Sequence, residues 1–136
     1  MTAGPDDRAL DDVRQAQGLR VGMDMVKVAD VQASVDEFDG RFVQRLFSPA
    51  EQAHARSVPA LMTRRLAACF AAKEAAIKAF GLSQVGLSWR ELEVVCDERG
   101  GSRLRLHGRA AALAGVREAG LSLSQAGDYA VAVVLA

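Results

Sequence analysis

The sequence has little that would direct the protein to nucleic acid or to a membrane. Its 17 basic and 17 acidic residues cancel at neutral pH. No overall positive charge therefore favours a nucleic-acid partner. No apolar run approaches the roughly 20 residues that a membrane-spanning helix needs. We therefore expect neither nucleic acid nor a membrane as a partner.

Cysteine and histidine are also scarce. Cys69 and Cys96 are the two cysteines, and neither lies in a CxxC pair or at a spacing typical of a metal site. Two buried free thiols are the expected state in a reducing cytoplasm, where we place the protein. His54 and His107 are isolated and have no orienting partner in the sequence, so neither is a strong candidate for a catalytic base.

The remaining composition indicates one well-filled domain. The 136 residues suit a single core, and half of them are apolar. Residues 1–18 are polar, include four aspartates and lack the apolar segment of a signal peptide. We interpret residues 1–18 as a polar N-terminal extension and residues 19–136 as the domain.

Hydrophobic periodicity predicts the order strand, helices, strands, helix, strands. Residues 20–28 form a predicted strand, and Ser48-Pro49-Ala50-Glu51 is a helix start with a capping box. A long helix is expected from Leu61 to Phe80, ended by Gly81. The other predicted elements are helices at 31–38, 41–47 and 110–119 and strands at 87–95, 103–107, 121–124 and 129–135. This order is typical of an α+β domain whose antiparallel sheet packs against a long helix.

Two carboxylates and two lysines form the candidate site. Asp24 lies inside an apolar strand, where a carboxylate is costly unless it is paired or binds a metal. Glu74 and Lys78 share a face of the long helix and, taken alone, would be an exposed ion pair. Together with Asp24, Glu74 supplies the oxygen ligands that magnesium prefers, and Lys73 and Lys78 could hold phosphates. The set predicts a site for a metal and a phosphate ester, where charge neutralisation and positioning supply most of the catalysis.

Five segments, in this order, resemble the small holo-acyl-carrier-protein synthases, the short class of 4′-phosphopantetheinyl transferases. The segments are Val21–Val26, Arg41–Glu51, Phe70–Ala79 with Gly81 following, Leu87–Val94 and Ser122–Ala132. They cover nearly everything from Leu19 to Ala136. The resemblance implies the α+β fold of that family and a homotrimer whose active sites lie at subunit interfaces.

The resemblance also implies a reaction and a set of residues. A serine of an apo acyl carrier protein attacks the β-phosphate of coenzyme A in the presence of magnesium. The 4′-phosphopantetheine arm is transferred, and 3′,5′-adenosine diphosphate leaves. Asp24 and Glu74 match the metal-binding carboxylates, and Lys78 matches the lysine near the transferred phosphate. The adjoining Lys73, together with Gly81 and Gln125, matches positions near coenzyme A.

Three positions around the site depart from the family pattern. Gln125 stands where histidine is usual, Cys69 where arginine is usual, and Gly81-Leu82-Ser83 where the family has a Gly-Thr-Gly-like turn. Glutamine forms hydrogen bonds but carries no proton at neutral pH. An active transferase therefore stands beside a second hypothesis. That alternative is a repurposed or catalytically weak homologue in a specialised biosynthetic pathway, which keeps the fold and ligand binding. A third is a structural subunit that partners a complete transferase.

The predicted partner surface departs as well. In the family, the first helix after the Asp24 strand is basic and docks the acidic recognition helix of the carrier protein. Here Asp30 replaces a usual arginine, and residues 29–40 contain four acidic residues and no basic one. Arg41 and Arg45 follow directly. Because like charges oppose association, we expect a carrier with a less acidic docking helix. The alternative is that the acidic helix only faces solvent.

Overall fold

The computed structural model describes residues 18–38 and 40–136. The extension predicted for residues 1–18 lies outside this range except for Gly18. The helices and strands are β1 (Val21–Lys27), α1 (Val28–Phe38), α2 (Arg41–Leu46), α3 (Pro49–Arg56), α4 (Met62–Phe80), β2 (Leu92–Cys96), β3 (Ser102–Leu106), α5 (Gly108–Ala114), β4 (Glu118–Ala126) and β5 (Tyr129–Leu135). Short 3₁₀ turns lie at Pro59–Leu61 and Trp89–Glu91. The predicted α+β class with an antiparallel sheet and one long helix is confirmed.

The five strands form one antiparallel sheet in the order β1-β5-β4-β3-β2. The first and last strands are therefore neighbours, with Asp24 opposite Ala132. Side chains alternate between the two faces of a strand. On β5, Ala130, Ala132 and Val134 are completely buried beneath the helical layer. Helix α4 packs mainly on β1 and β5, so it crosses the sheet at the strand that carries Asp24.

Local signals explain where α3 and α4 begin and end. Ser48 Oγ accepts a hydrogen bond from the Glu51 amide at 3.1 Å, and the Glu51 carboxylate accepts one from the Ser48 amide at 2.8 Å, which completes the predicted capping box. Gly81 ends α4 with φ 62°, a left-handed conformation that favours glycine. Among the described residues, none of the helices has the length and apolar character needed to cross a membrane.

The helix predicted at 31–38 begins at Val28, and the strand predicted at 121–124 spans Glu118–Ala126. Two other boundaries differ more, and one predicted burial is wrong. The alanine-rich helix predicted at 110–119 ends at Ala114, because Gly115 adopts φ 74° and caps it, and the chain then enters β4. The strand predicted at 87–95 begins only at Leu92, after the capped 3₁₀ turn. Cys69 is buried as expected, but Cys96 at the end of β2 is exposed.

Candidate active site

The packing of β1 on α4 brings Asp24, Glu74 and Lys78 to one place. Lys78 Nζ lies 2.8 Å from Asp24 Oδ1, although the two residues are 54 positions apart in the chain. The same ammonium donates to the carbonyl of Met23 at 3.2 Å. The Asp24 side chain is 18 % exposed, so its carboxylate is mostly enclosed but still reachable from solvent. The cost of placing a carboxylate in an apolar strand is thus offset by an ion pair.

Glu74 is electrostatically coupled to this pair. Burial, and after it the negative charge of Asp24, raise the pKa of Glu74, while Lys78 lowers it. A raised pKa means that the ionised carboxylate is less favourable in the fold than in water. The hydrogen bond from Lys78 to Asp24 raises the pKa of Lys78, which therefore stays cationic at neutral pH. Two electrostatically coupled carboxylates, of which Asp24 is paired with Lys78, form a local charge pattern that an added cation would relieve.

Asp24 and Glu74 open into a cleft of about 290 Å³. Its lining residues are Asp24, Met25, Val26, Lys27, Asp30, Val31, Ser34, Phe42, Phe70 and Glu74. This volume lies at the lower limit of ligand pockets, which usually span about 300–1,000 Å³. The cleft therefore suits a cation and a phosphate group better than a whole nucleotide.

The two carboxylates fit a magnesium ion. Magnesium is usually held by one or two carboxylates, and it takes its other ligands from water and substrate phosphates. Asp24 and Glu74 supply two such oxygen groups from separate elements. Within residues 18–38 and 40–136, no group of three or more His, Cys, Asp or Glu side chains could hold a metal ion. A cation here would therefore depend on water and phosphate for the rest of its coordination.

Lys73 does not join this site, which corrects the predicted phosphate-binding role. Its ammonium is completely buried and pairs with Glu51 Oε1 at 2.8 Å. It also donates to the carbonyls of Trp89, at 3.1 Å, and of Leu92. Successive helical residues point about 100° apart. Lys73 and Glu74 therefore point to different sides of α4, a difference that their shared motif did not reveal.

Gly81 and Gln125 lie near opposite ends of α4. Gly81 follows Lys78 by about one helical turn. The Gln125 amide donates to the carbonyl of Arg64, at 3.2 Å, in the first turn of α4. At 1.5 Å per residue, Arg64 and Glu74 are separated by about 15 Å of helix. Within one chain, the structure therefore does not bring Gln125 to the cleft.

The residues predicted to dock a partner occupy two neighbouring depressions. Arg41 and Arg45 line a groove of about 550 Å³ together with Phe38, Phe42, Leu46 and Trp89. Asp30 instead lines the cleft. Phe42 lines both, so the groove and the cleft share one wall. The arginines are thus brought together, and Asp30 is set apart from them beside the carboxylates.

An aromatic wall between cleft and groove is the part of the site to which the sequence assigned no role. The Phe70 and Trp89 rings stack with their centres 5.5 Å apart, and the Phe42 ring lies 6.3 Å from that of Phe70. Two sequence signals point to this wall. Trp89 is the single tryptophan of the chain, and Phe70 lies four positions before Glu74 on α4.

Known proteins are similar to this sequence over most of its length. A family model described as the 4′-phosphopantetheinyl transferase superfamily matches residues 20–134. A holo-acyl-carrier-protein synthase of Halorhodospira halophila is 43 % identical over 122 residues, which is 85 % of this chain and 94 % of the relative. One from Clavibacter michiganensis is 45 % identical over 118 residues, which is 85 % of this chain and 92 % of the relative.

Solved structures share the fold as well. The ACPS–CoA complex of Chronobacterium ammoniagenes matches with a TM-score of 0.74 at 34 % identity and covers 86 % of this chain and 95 % of its own. The acyl carrier protein synthase of Mycobacterium tuberculosis matches with a TM-score of 0.66 at 36 % identity, over 85 % and 94 % of the two chains. The chain therefore belongs to the 4′-phosphopantetheinyl transferase superfamily, in the group of small holo-acyl-carrier-protein synthases.

Proposed function

We propose that this protein transfers the 4′-phosphopantetheine arm of coenzyme A to a serine of an apo acyl carrier protein. The meeting of Asp24 and Glu74 in one cleft, with Lys78 paired to Asp24, carries this proposal. These are the charged groups that a phosphoryl-type transfer needs, two carboxylates for a divalent cation and one lasting cation for phosphate. The relatives named holo-acyl-carrier-protein synthase and the complex with coenzyme A support the substrate pair.

The roles of the residues follow from their charges and positions. Asp24 and Glu74 would hold magnesium, which when bound neutralises and orients the diphosphate of coenzyme A. Lys78, released from Asp24 once that carboxylate has another cation beside it, would contact the transferred phosphate. Glu74 also lines the cleft with a carboxylate oxygen that would accept the serine proton. The bond from serine Oγ to the β-phosphorus forms, the bond to the leaving phosphate oxygen breaks, and 3′,5′-adenosine diphosphate departs.

The proposal includes assembly of this chain into a homotrimer. The uncovered face of the sheet exposes large apolar side chains of β1 and β5, and contiguous apolar surface of this kind marks an interaction site. The most exposed of them are Val21, Met23, Met25 and Leu135. Because the cleft of one chain is small and Gln125 lies far from it, a neighbouring copy would supply the remaining contacts to coenzyme A, Gln125 among them. Gly81, beside the last turn of α4, would lie near the same ligand.

The carrier protein would dock over the groove and the acidic helix α1. Arg41 and Arg45 offer two positive charges beside exposed Phe38. Helix α1 presents Asp30 at the rim of the cleft, with Asp36 further along its exposed side. Opposite charges steer association, and like charges oppose it. The matching carrier would be acidic where it meets the groove and neutral or basic where it meets α1. The free thiols and the use of coenzyme A agree with a cytoplasmic location.

A transfer assay tests the function directly. The protein is incubated with coenzyme A, magnesium and a panel of apo carrier proteins whose recognition helices are acidic, neutral or basic. Intact-mass spectrometry should detect the added phosphopantetheine on at least one carrier, and Asp24→Asn should abolish it. Asn keeps the size of the side chain and removes only its charge, so a loss of transfer would report on the metal site and not on packing.

The same experiment separates the alternatives. Transfer to no carrier, combined with calorimetric binding of coenzyme A, would refute the transferase and support a repurposed or catalytically weak homologue. Transfer that appears only after a second, complete synthase is added would support a structural subunit. Transfer that persists unchanged in Asp24→Asn would refute the assignment of Asp24 as a metal ligand.

A further inference from the structure

Lys73 and Glu51 form a buried ionic centre that the cleft itself does not use. The Lys73 side chain has no exposed surface, and Glu51 is 3 % exposed. Burying two charges is costly unless the pair is close and its remaining hydrogen bonds are satisfied. Such a pair is therefore stable only while the groups that hydrogen-bond to it keep their positions.

Both ends of the pair are hydrogen-bonded to several neighbours. The Lys73 ammonium donates to Glu51, to the carbonyl of Trp89 and to the carbonyl of Leu92, which uses its three protons. Glu51 accepts from the Ser48 amide through Oε1 and from the Val94 amide through Oε2, at 2.8 and 2.9 Å. The centre thus joins α3, α4, the 3₁₀ turn at Trp89–Glu91 and β2 at one point.

Trp89 connects this centre to the cleft. Its carbonyl oxygen accepts from Lys73, while its ring stacks on Phe70, which lines the cleft. Phe70 and Glu74 are four positions apart and so lie on the same face of α4. Trp89 also lines the groove, together with Arg41. A shift of the Lys73 ammonium would therefore move Trp89, which borders the groove and contacts the cleft residue Phe70.

We propose that Lys73 is a positioning residue that sets the rotation of α4 and the place of Trp89, and so aims Glu74 and Phe70 into the cleft. It has no contact with substrate or metal in this role. The inference rests on the proposed transferase function only where it predicts a change in kcat. Its structural consequence is read from Trp89, the single tryptophan of the chain, and needs neither substrate nor metal.

Tryptophan fluorescence and kinetics of Lys73→Met test the proposal. Met keeps most of the side-chain length and removes the charge and all three donors. We expect the emission of Trp89 to move to longer wavelength, its acrylamide quenching constant to rise about twofold, and kcat to fall about tenfold or more, as misplaced catalytic groups do. Circular dichroism checks that the variant is folded. If it is not, the double variant Glu51→Gln/Lys73→Met, which removes both charges, replaces it with the same expectations.

A matched destabilised control separates positioning from loss of stability. Val134→Ala removes buried apolar volume from β5 and leaves the ionic centre intact. It should lower the melting temperature while keeping the emission and kcat of the native protein. Native emission and native kcat in folded Lys73→Met would overturn the proposal, as would equal spectral changes in Val134→Ala. If the native protein transfers nothing, the proposed function fails, while the emission shift still decides the role of Lys73.

Discussion

Replacing Gly22 by alanine tests whether the close packing of β1 on α4 builds the cleft. A Cβ atom at this position would lie 1.9 Å from the carbonyl oxygen of Ala75 and 2.8 Å from the amide nitrogen of Ala79. Ordinary contact begins near 3.4 Å, so strand and helix must separate by about 1.5 Å. Overpacking usually costs about 1–3 kcal/mol. Because the obstructing atoms are backbone, which cannot rotate away, we expect about 3 kcal/mol.

The same displacement would also disturb the site. Asp24 lies two residues after Gly22 on β1, and its 2.8 Å ion pair reaches across to Lys78 on α4. Lengthening this separation by about 1.5 Å would take it beyond the range of a hydrogen bond. We therefore expect Gly22→Ala to lower the transfer rate about tenfold or more even in protein that remains folded.

Calorimetry and the transfer assay measure the two effects. For a domain of this size, a loss of about 3 kcal/mol lowers the melting temperature by about 10 °C. Gly120→Ala is the matched control because its Cβ would lie 3.3 Å from the carbonyl oxygen of Leu135, close to ordinary contact. We expect it to melt within about 2 °C of the native protein at equal concentration. A Gly22→Ala variant that melts as the control does and keeps its activity would refute this reasoning.

Three further substitutions test the rest of the site. Glu74→Gln removes a carboxylate whose ionisation burial and Asp24 disfavour, so at neutral pH without metal its melting temperature should equal or exceed that of the native protein. Its transfer rate should fall more than about a hundredfold, and a native rate would contradict the assignment. Arg41→Glu should raise the KM for an acidic carrier about tenfold and leave the KM for coenzyme A unchanged in steady-state kinetics; an equal change in both would argue against docking at the groove. Met23→Lys places a charge on the exposed apolar face and should convert a trimer to a monomer in light scattering, whereas an unchanged mass would exclude this face as the interface.

Local sequence patterns were sufficient to predict much of the fold. The capping box at Ser48 and the left-handed stop at Gly81 depend on residues close in sequence, so the ends of α3 and α4 were readable. An alanine-rich stretch was not sufficient to separate α5 from β4. Alanine favours helix wherever it occurs, but Ala119 is recruited into the sheet opposite Leu104. The boundary there is decided by Gly115 and by strand pairing, and pairing is a non-local interaction.

Sequence motifs were enough to group Asp24, Glu74 and Lys78 as one predicted site, because the segments that carry them resemble a single family. An aspartate between apolar strand residues needs a partner, and the spacing of Glu74 and Lys78 puts them on one helical face. The burial of Lys73 against Glu51, and the separation of Gln125 from Glu74 by about 15 Å of helix, depend instead on how the elements pack. Helical periodicity sets only the angle between neighbouring side chains. Which of those directions meets the core and which meets solvent depends on the elements that pack around the helix.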